Sequence, residues 1–287
     1  MSTRVSDFSI EVPGKWVLTG EHSVLRGKSA IAFCHPTFSL KLSYREQETQ
    51  NINPNPFQSQ IKQLIGRALE FLKLPAQAFS GGNIDIQSQI PIGAGLGSSA
   101  AVCVAMARLV LWKTSSDLKL WIPLATHLED VFHGKSSGMD VSAIALSHPI
   151  LFSMENKGQV LKELEKFPRF EFYDSGKRGL TKECIEVVKH WRANNPDQRD
   201  ALDDEMQSAT EAALKGLQLY QTNARAGEAQ VASAMAQAQY CFETWGLVSP
   251  ELLFQKEDLL KQGALAVKLT GAGLGGFWVA LWPTGSG

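Results

Sequence analysis

Residues 91–102 read PIGAGLGSSAAV, and they are the first stretch with the makings of a chemical site. Gly93, Gly95 and Gly97 alternate with small or apolar residues, two serines follow, and an apolar run continues through Val102, Val104, Met106, Leu109 and Leu111. Glycine lets the backbone take positive φ and lets a ligand approach where a Cβ would otherwise stand. A helix that starts behind such a loop offers unpaired N–H groups and a partial positive charge, which suits a phosphate. A structural turn closed by an N-cap serine accounts for the same residues. No Lys-Ser/Thr pair ends the loop as in a Walker A sequence, and the spacing is not G-x-G-x-x-G.

Three further stretches bear groups capable of acid–base, electrostatic or metal chemistry. PGKWVLTGEHSVLRGKSAIAF (13–33) contains Lys15, Glu21 and His22. HLEDVFHGKSSGMDVSAI (127–144) contains Glu129 and His133, four residues apart and so on one helix face, and Asp140 behind a Ser-Ser-Gly turn. KLTGAGLGGFW (268–278) is a glycine-rich turn. Each has an ordinary structural account on its own. Lys15 reads as a solvated lysine between strands, Glu21 and His22 as a surface turn, Glu129 and His133 as a surface pair, Asp140 as a helix cap, and 268–278 as a tight hairpin.

The elements that must position these groups are legible from periodicity. DFSIEV and, after a Pro-Gly turn, KWVLTG alternate as strands, as do SAIAF and FSLKLSY. EQETQNINPNP is a polar loop. Ile61, Leu64, Ile65, Ala68, Leu69 and Leu72 recur at helical spacing over 58–73, and GGNIDIQSQIP is a strand leading into the glycine loop. Helices are expected at about 97–112, 117–133 and 140–146, followed by the strands ILFSM and RFEFYDS. Residues 181–193, 200–223 and 227–245 are helical and alanine-rich, and 264–282 is strand, glycine turn, strand. The first half is β-rich and the second mostly helical, so a boundary is placed near 165, giving domains 1–165 and 166–287.

Bulk properties narrow the function. With 287 residues, 44% hydrophobic and 20% charged, the chain has the composition of a soluble globular protein of one large or two ordinary domains. A net charge of −1 offers no electrostatic case for nucleic acid or a membrane surface. No apolar run is long enough for a bilayer span, and MSTRVSDFSIEVPGKW lacks a signal-peptide core, so a cytoplasmic location is expected. Cys34, Cys103, Cys184 and Cys241 are scattered, as reduced thiols would be, and the six histidines show no zinc spacing.

Taken together, the four stretches resemble the motifs of the GHMP kinases, in order and spacing and over nearly the whole chain, most closely the branch that phosphorylates mevalonate. The pattern P-G-K-x-x-L-x-G-E-H-x-V-x-x-G is met throughout from Pro13 to Gly27, and E-x-x-x-H-G-x-x-S-G-x-D is met by Glu129, His133, Gly134, Ser137, Gly138 and Asp140. The resemblance implies an α+β, two-domain fold: an N-terminal β-rich domain with the glycine-rich phosphate loop, and a C-terminal ferredoxin-like domain with extra helices. It implies ATP and Mg²⁺ as cofactors and a small alcohol, mevalonate or a relative, as substrate, in a monomer or homodimer. ATP's phosphates would lie over Pro91, Gly93, Ala94, Gly95, Leu96, Gly97, Ser98, Ser99 and Ala100. Ser99 and Glu129 would hold the metal, as hard oxygen ligands suited to it. Asp140 would take the proton of the acceptor hydroxyl beside Lys15, and Glu21, His22, Thr181, Gly271 and Ala272 would face the substrate. Lys135 and the Lys177–Arg178 pair are the cations available to a phosphorylated acceptor. The chain departs from the family pattern at Ser136, usually proline, at Val141, often asparagine, at Leu274, usually glycine, and at Phe277, usually a small residue.

Overall fold

Pro13 and Gly14 do not turn the chain. In the computed structural model, which describes residues 7–46, 50–134 and 136–285, strand β1 (Asp7–Thr19) runs straight through them. Among the described residues β1 pairs with one strand, β2 (Ala30–Arg45). A proline on an edge owes no N–H to a second neighbour, so the extended backbone persists where a turn is expected from the dipeptide. The expected strands SAIAF and FSLKLSY are likewise one strand, β2. At its middle the amides of Thr37 and Phe38 donate to Nδ1 of His35, at 3.3 and 3.1 Å. The imidazole takes the acceptor role there and lets the strand continue past Pro36.

The remaining elements follow the periodicity closely. They are β3 (Asn51–Ile52), α1 (Gln58–Leu72), β4 (Asn83–Ser88), α2 (Ser98–Lys113), α3 (Trp121–His133), α4 (Met139–Leu146), β5 (Ile150–Phe152) and β6 (Gln159–Val160). Then come β7 (Arg169–Asp174), α5 (Thr181–Asn194), α6 (Arg199–Tyr220), α7 (Ala224–Thr244), α8 (Pro250–Lys261), β8 (Ala266–Thr270) and β9 (Phe277–Trp282). β3 lies in the stretch expected to be a polar loop, of which residues 47–49 are outside the described residues. α8 was not expected, although its start carries a plain signal: Ser249 accepts from the amide of Leu252 and Pro250 occupies the first helical position.

The chain forms two compact units, each discontinuous in sequence. One comprises Met1–Gly14, His35–Pro91 and Gly97–Ala145. In it the second half of β2 pairs antiparallel with β4, from Leu40 opposite Ser88 to Arg45 opposite Asn83, and β3 adds in parallel to β4. α1 turns Ile61, Leu64, Ile65, Ala68 and Leu69 inward. α2 is apolar all round and almost wholly buried, as a central helix between neighbours must be.

The other comprises Lys15–Cys34, Ile92–Leu96 and Leu146–Gly287. β7, β9 and β8 make an antiparallel sheet of three strands among the described residues, with Arg169 opposite Trp282 and Thr270 opposite Phe277. Met206, Phe242, Trp245, Leu247, Leu269 and Trp278 form the heart of the core that its helices share with this sheet. Ala30–Ala32 of β2 pair with β5, which pairs with β6. The architecture is the mixed α and β fold of two parts expected from the sequence.

Candidate active site

Lys15 lies inside β1, not between strands, and is 3% exposed. Its amide donates to the carbonyl of Leu96 at 3.0 Å and its ammonium to the carbonyl of Gly95 at 2.9 Å. The solvated-lysine account is therefore corrected: this side chain has been taken out of water and aimed at the glycine loop. The loop takes the backbone its composition demands, with φ of +71° at Gly93, +77° at Gly95 and +75° at Gly97. A second glycine turn packs against residues 92–96. A Cβ on Gly271 would stand 2.5 Å from the Cα of Gly95, and one on Gly276 would stand 2.6 Å from the carbonyl oxygen of Ala94. Thr270, just before that turn, accepts from the amide of Val17 at 2.8 Å and donates to its carbonyl at 3.1 Å, so its hydroxyl extends the pairing of β1.

Glu21 and His22 are buried, not surface-turn residues. The Glu21 carboxylate pairs with the ammonium of Lys268, which comes from β8 and is 1% exposed. Burial pushes the Glu21 carboxyl up and the Lys268 ammonium down, and each partner opposes the other's shift. His22 has φ of 61°, and its Nε2 donates to the carbonyl of Ala272 at 2.7 Å, which fixes the tautomer and leaves Nδ1 as an acceptor. Burial lowers its pKa to about 4 despite that carbonyl, so it is neutral at pH 7. Phe242 and Trp245 meet its ring edge-on, at 5.9 and 5.6 Å between centroids. Beside His22 opens a cavity of about 410 Å³ lined also by Arg26, Lys189, Arg192 and Arg199. Asp203 accepts from both Arg26 and Arg192, one carboxylate shared by two guanidiniums. Thr181 is exposed as the first residue of α5. Arg178 is engaged by Asp174 at 2.6 and 2.7 Å, and Lys177 by Glu251, while Lys135 lies outside the described residues.

In the unit that holds α2, α3 and α4, the helix cap is Gly97, with no side-chain cap bond. Ser98 is buried and its Oγ has no partner. The N-cap account of these serines is thus corrected as well: the hydroxyl is spare. Ser99 follows, half-buried, in the first turn of α2. Glu129 projects from α3, 2% exposed, and its Oε2 accepts from the hydroxyl of Ser136, whose amide donates to Asp130 at 2.8 Å. Where the family pattern has proline, Ser136 ties the loop to this carboxylate. Asp140 is the second residue of α4 and not its cap, since Ser137 Oγ accepts from the amide of Met139 at 3.2 Å. Ser99 and Glu129 offer hydroxyl and carboxylate oxygens, the donor set Mg²⁺ prefers. Among the described residues no cluster of three or more His, Cys, Asp or Glu side chains is placed to hold a metal.

Lys268 is the member of this set that the sequence does not flag: it falls in the strand expected before the glycine turn, and a lysine in a strand carries no local sign of burial.

Comparison with known proteins bears on the family and the fold. Residues 63–148 match the family model described as the GHMP kinases N terminal domain. The chain is 29% identical over 300 residues to the mevalonate kinase of Thermococcus gammatolerans, spanning 94% of this chain and 88% of that protein. The structure of the Methanococcus jannaschii mevalonate kinase matches with a TM-score of 0.79 at 24% identity, over 98% of this chain and 92% of that one. The L. major mevalonate kinase in complex with R-mevalonate matches at 0.78 and 21%, over 99% and 90%. The structural likenesses bear on the fold.

Proposed function

We propose that the chain is a GHMP kinase and transfers the γ-phosphoryl group of ATP to the 5-hydroxyl of mevalonate. The observation that carries the reading is the Lys15 ammonium, buried and hydrogen-bonded to Gly95 within a loop of left-handed glycines. A cation has been fixed at a backbone segment whose left-handed glycines would let phosphates approach.

In this mechanism Asp140 accepts the proton of the acceptor hydroxyl as its oxygen attacks the γ-phosphorus, and the bond to the β–γ bridging oxygen breaks to release ADP. Lys15 balances charge gathering on the attacking and transferred oxygens. Ser99 and Glu129 would hold Mg²⁺, which would supply positive charge to the nucleotide's phosphates. Such catalysis is mostly positioning and electrostatics, so residues withdrawn from water serve it well.

The acceptor is chosen on two grounds. The full-length curated likeness is to mevalonate kinase. The cavity beside His22 carries more guanidinium and ammonium than carboxylate, which favours an acceptor bearing an anionic group over a neutral sugar. A phosphorylated acceptor satisfies the second ground too. A coupled ADP-release assay across mevalonate, phosphomevalonate, galactose and homoserine separates these. Mevalonate is expected to give the highest kcat/KM. No signal with mevalonate and turnover of another acceptor would overturn the substrate assignment, and no turnover of any would overturn the reaction.

A further inference from the structure

The two carboxylate oxygens of Glu21 have unlike surroundings. Oε1 receives the Lys268 ammonium, while Oε2 is buried without a hydrogen-bond partner. The Glu21 side chain is only 4% exposed, in a turn where Gly20 has φ of 101° and His22 φ of 61°. The amide of Ser23 donates to the Glu21 carbonyl at 2.7 Å and holds that turn. Lys268 is fully engaged: it donates to Glu21 and to the carbonyl of Leu269, and its Nζ lies 4.6 Å from the centre of the Phe242 ring.

Stability alone is a poor reason for such a pair. Desolvation offsets the attraction between buried charges, and apolar replacements are often as stable. A buried carboxylate oxygen with no donor adds a further cost that the folded chain does not recover by itself. A donor from outside recovers it. A carboxylate oxygen only accepts, so the matching group is an O–H and not an anionic oxygen.

We propose that Lys268 is a positioning residue for acceptor recognition, holding Glu21 so that its free Oε2 accepts a hydrogen bond from a hydroxyl of the acceptor alcohol. The inference rests on reading Glu21 and His22 as facing the acceptor. Lys268 touches no substrate and acts through Glu21. Without its ammonium, burial favours the protonated acid at Glu21, with its own backbone amide and the more distant charge of Lys15 left to oppose it, and the turn then presents a proton where an acceptor's proton should go.

The test compares wild type with Lys268→Met, Glu21→Gln and the double variant, measuring kcat and both KM values, with mevalonate as acceptor, and mevalonate binding by calorimetry. Each single change is expected to raise the mevalonate KM about 10- to 100-fold, the range for losing a hydrogen bond to a charged group, and to leave the ATP KM within about twofold. The double variant is expected to be no worse than the poorer single, because both remove the same contact. Multiplying effects, or a lowered melting temperature with both KM values unchanged, would overturn the proposal. If Lys268→Met does not fold, the double variant, which buries no unpaired charge, decides: a wild-type mevalonate KM overturns the proposal and a raised one supports it. If the acceptor panel selects a different alcohol, the same ratios are read with that alcohol, so the substrate assignment can fail while this proposal is still judged. Turnover of none of the four removes both.

Discussion

Alanine at position 95 puts the glycine loop under a defined load. Gly95 has φ of +77°, and a Cβ there would lie 2.5 Å from the carbonyl oxygen of Thr270 and 3.0 Å from the Cα of Gly271. Both are backbone atoms, so no rotamer change relieves the overlap and the loop itself must move. Two costs follow. The left-handed backbone costs alanine about 1–2 kcal/mol. Movement of the Gly95 carbonyl breaks its hydrogen bond with the buried Lys15 ammonium, worth about 1.5–3 kcal/mol for a charged donor. Gly27 is the control, because its φ is +86° but nothing lies within 4 Å of a Cβ there. Gly27→Ala therefore carries the backbone cost alone, about 1–2 kcal/mol, and Gly95→Ala about 3 kcal/mol or more. At about 2 °C per kcal/mol for a chain of this length, the melting temperature falls by about 2–4 °C in the control and by at least about 6 °C in Gly95→Ala. Steady-state kinetics should add a rise in ATP KM only for Gly95→Ala. Thermal unfolding that shows equal losses in the two variants, with ATP KM unchanged in both, would refute the argument that loop, turn and lysine are one packed unit.

Asp140→Asn is expected to lower kcat at least a hundredfold, the lower bound for removing a general base being about 10². ATP KM should hold; a fall in kcat of less than tenfold removes Asp140 from the mechanism. His22, held near pKa 4 by burial, makes the protein acid-sensitive. Between pH 6.5 and about 4 the unfolded chain binds a proton that the folded chain refuses, so stability is complete above that window and declines as pH falls through it. Denaturant titrations should show His22→Gln losing less stability than wild type over this window, by roughly 3 kcal/mol at pH 4. His35, also held near 4 by burial, contributes equally to both proteins, so identical pH profiles would show that His22 is not shielded as described.

The chemistry-bearing loop was legible because its requirement is local. Alternating glycines ask for left-handed backbone wherever they occur, and Gly93, Gly95 and Gly97 adopt it. Helical periodicity is equally local, and α1, α2 and α5 to α7 lie within a few residues of their expected ends. Motif order and spacing carried the resemblance to the GHMP kinases without any contact being known. The nature of each side chain's surroundings was not legible. Lys15, Glu21 and His22 look like surface residues in sequence and are buried in the structure. Glu21 meets Lys268 from 247 positions away, and His22 meets the carbonyl of Ala272 from 250. Pro13-Gly14 reads as a turn and is extended, because whether a proline breaks a strand depends on which neighbour lies on its N–H side. Burial, pairing and edge position are properties of distant segments brought together by the core. A local period encodes which face of an element is apolar, but not which charged groups from elsewhere in the chain will be shut in with it, and that enclosure sets the aim of Lys15 and Glu21 and keeps His22 neutral at pH 7.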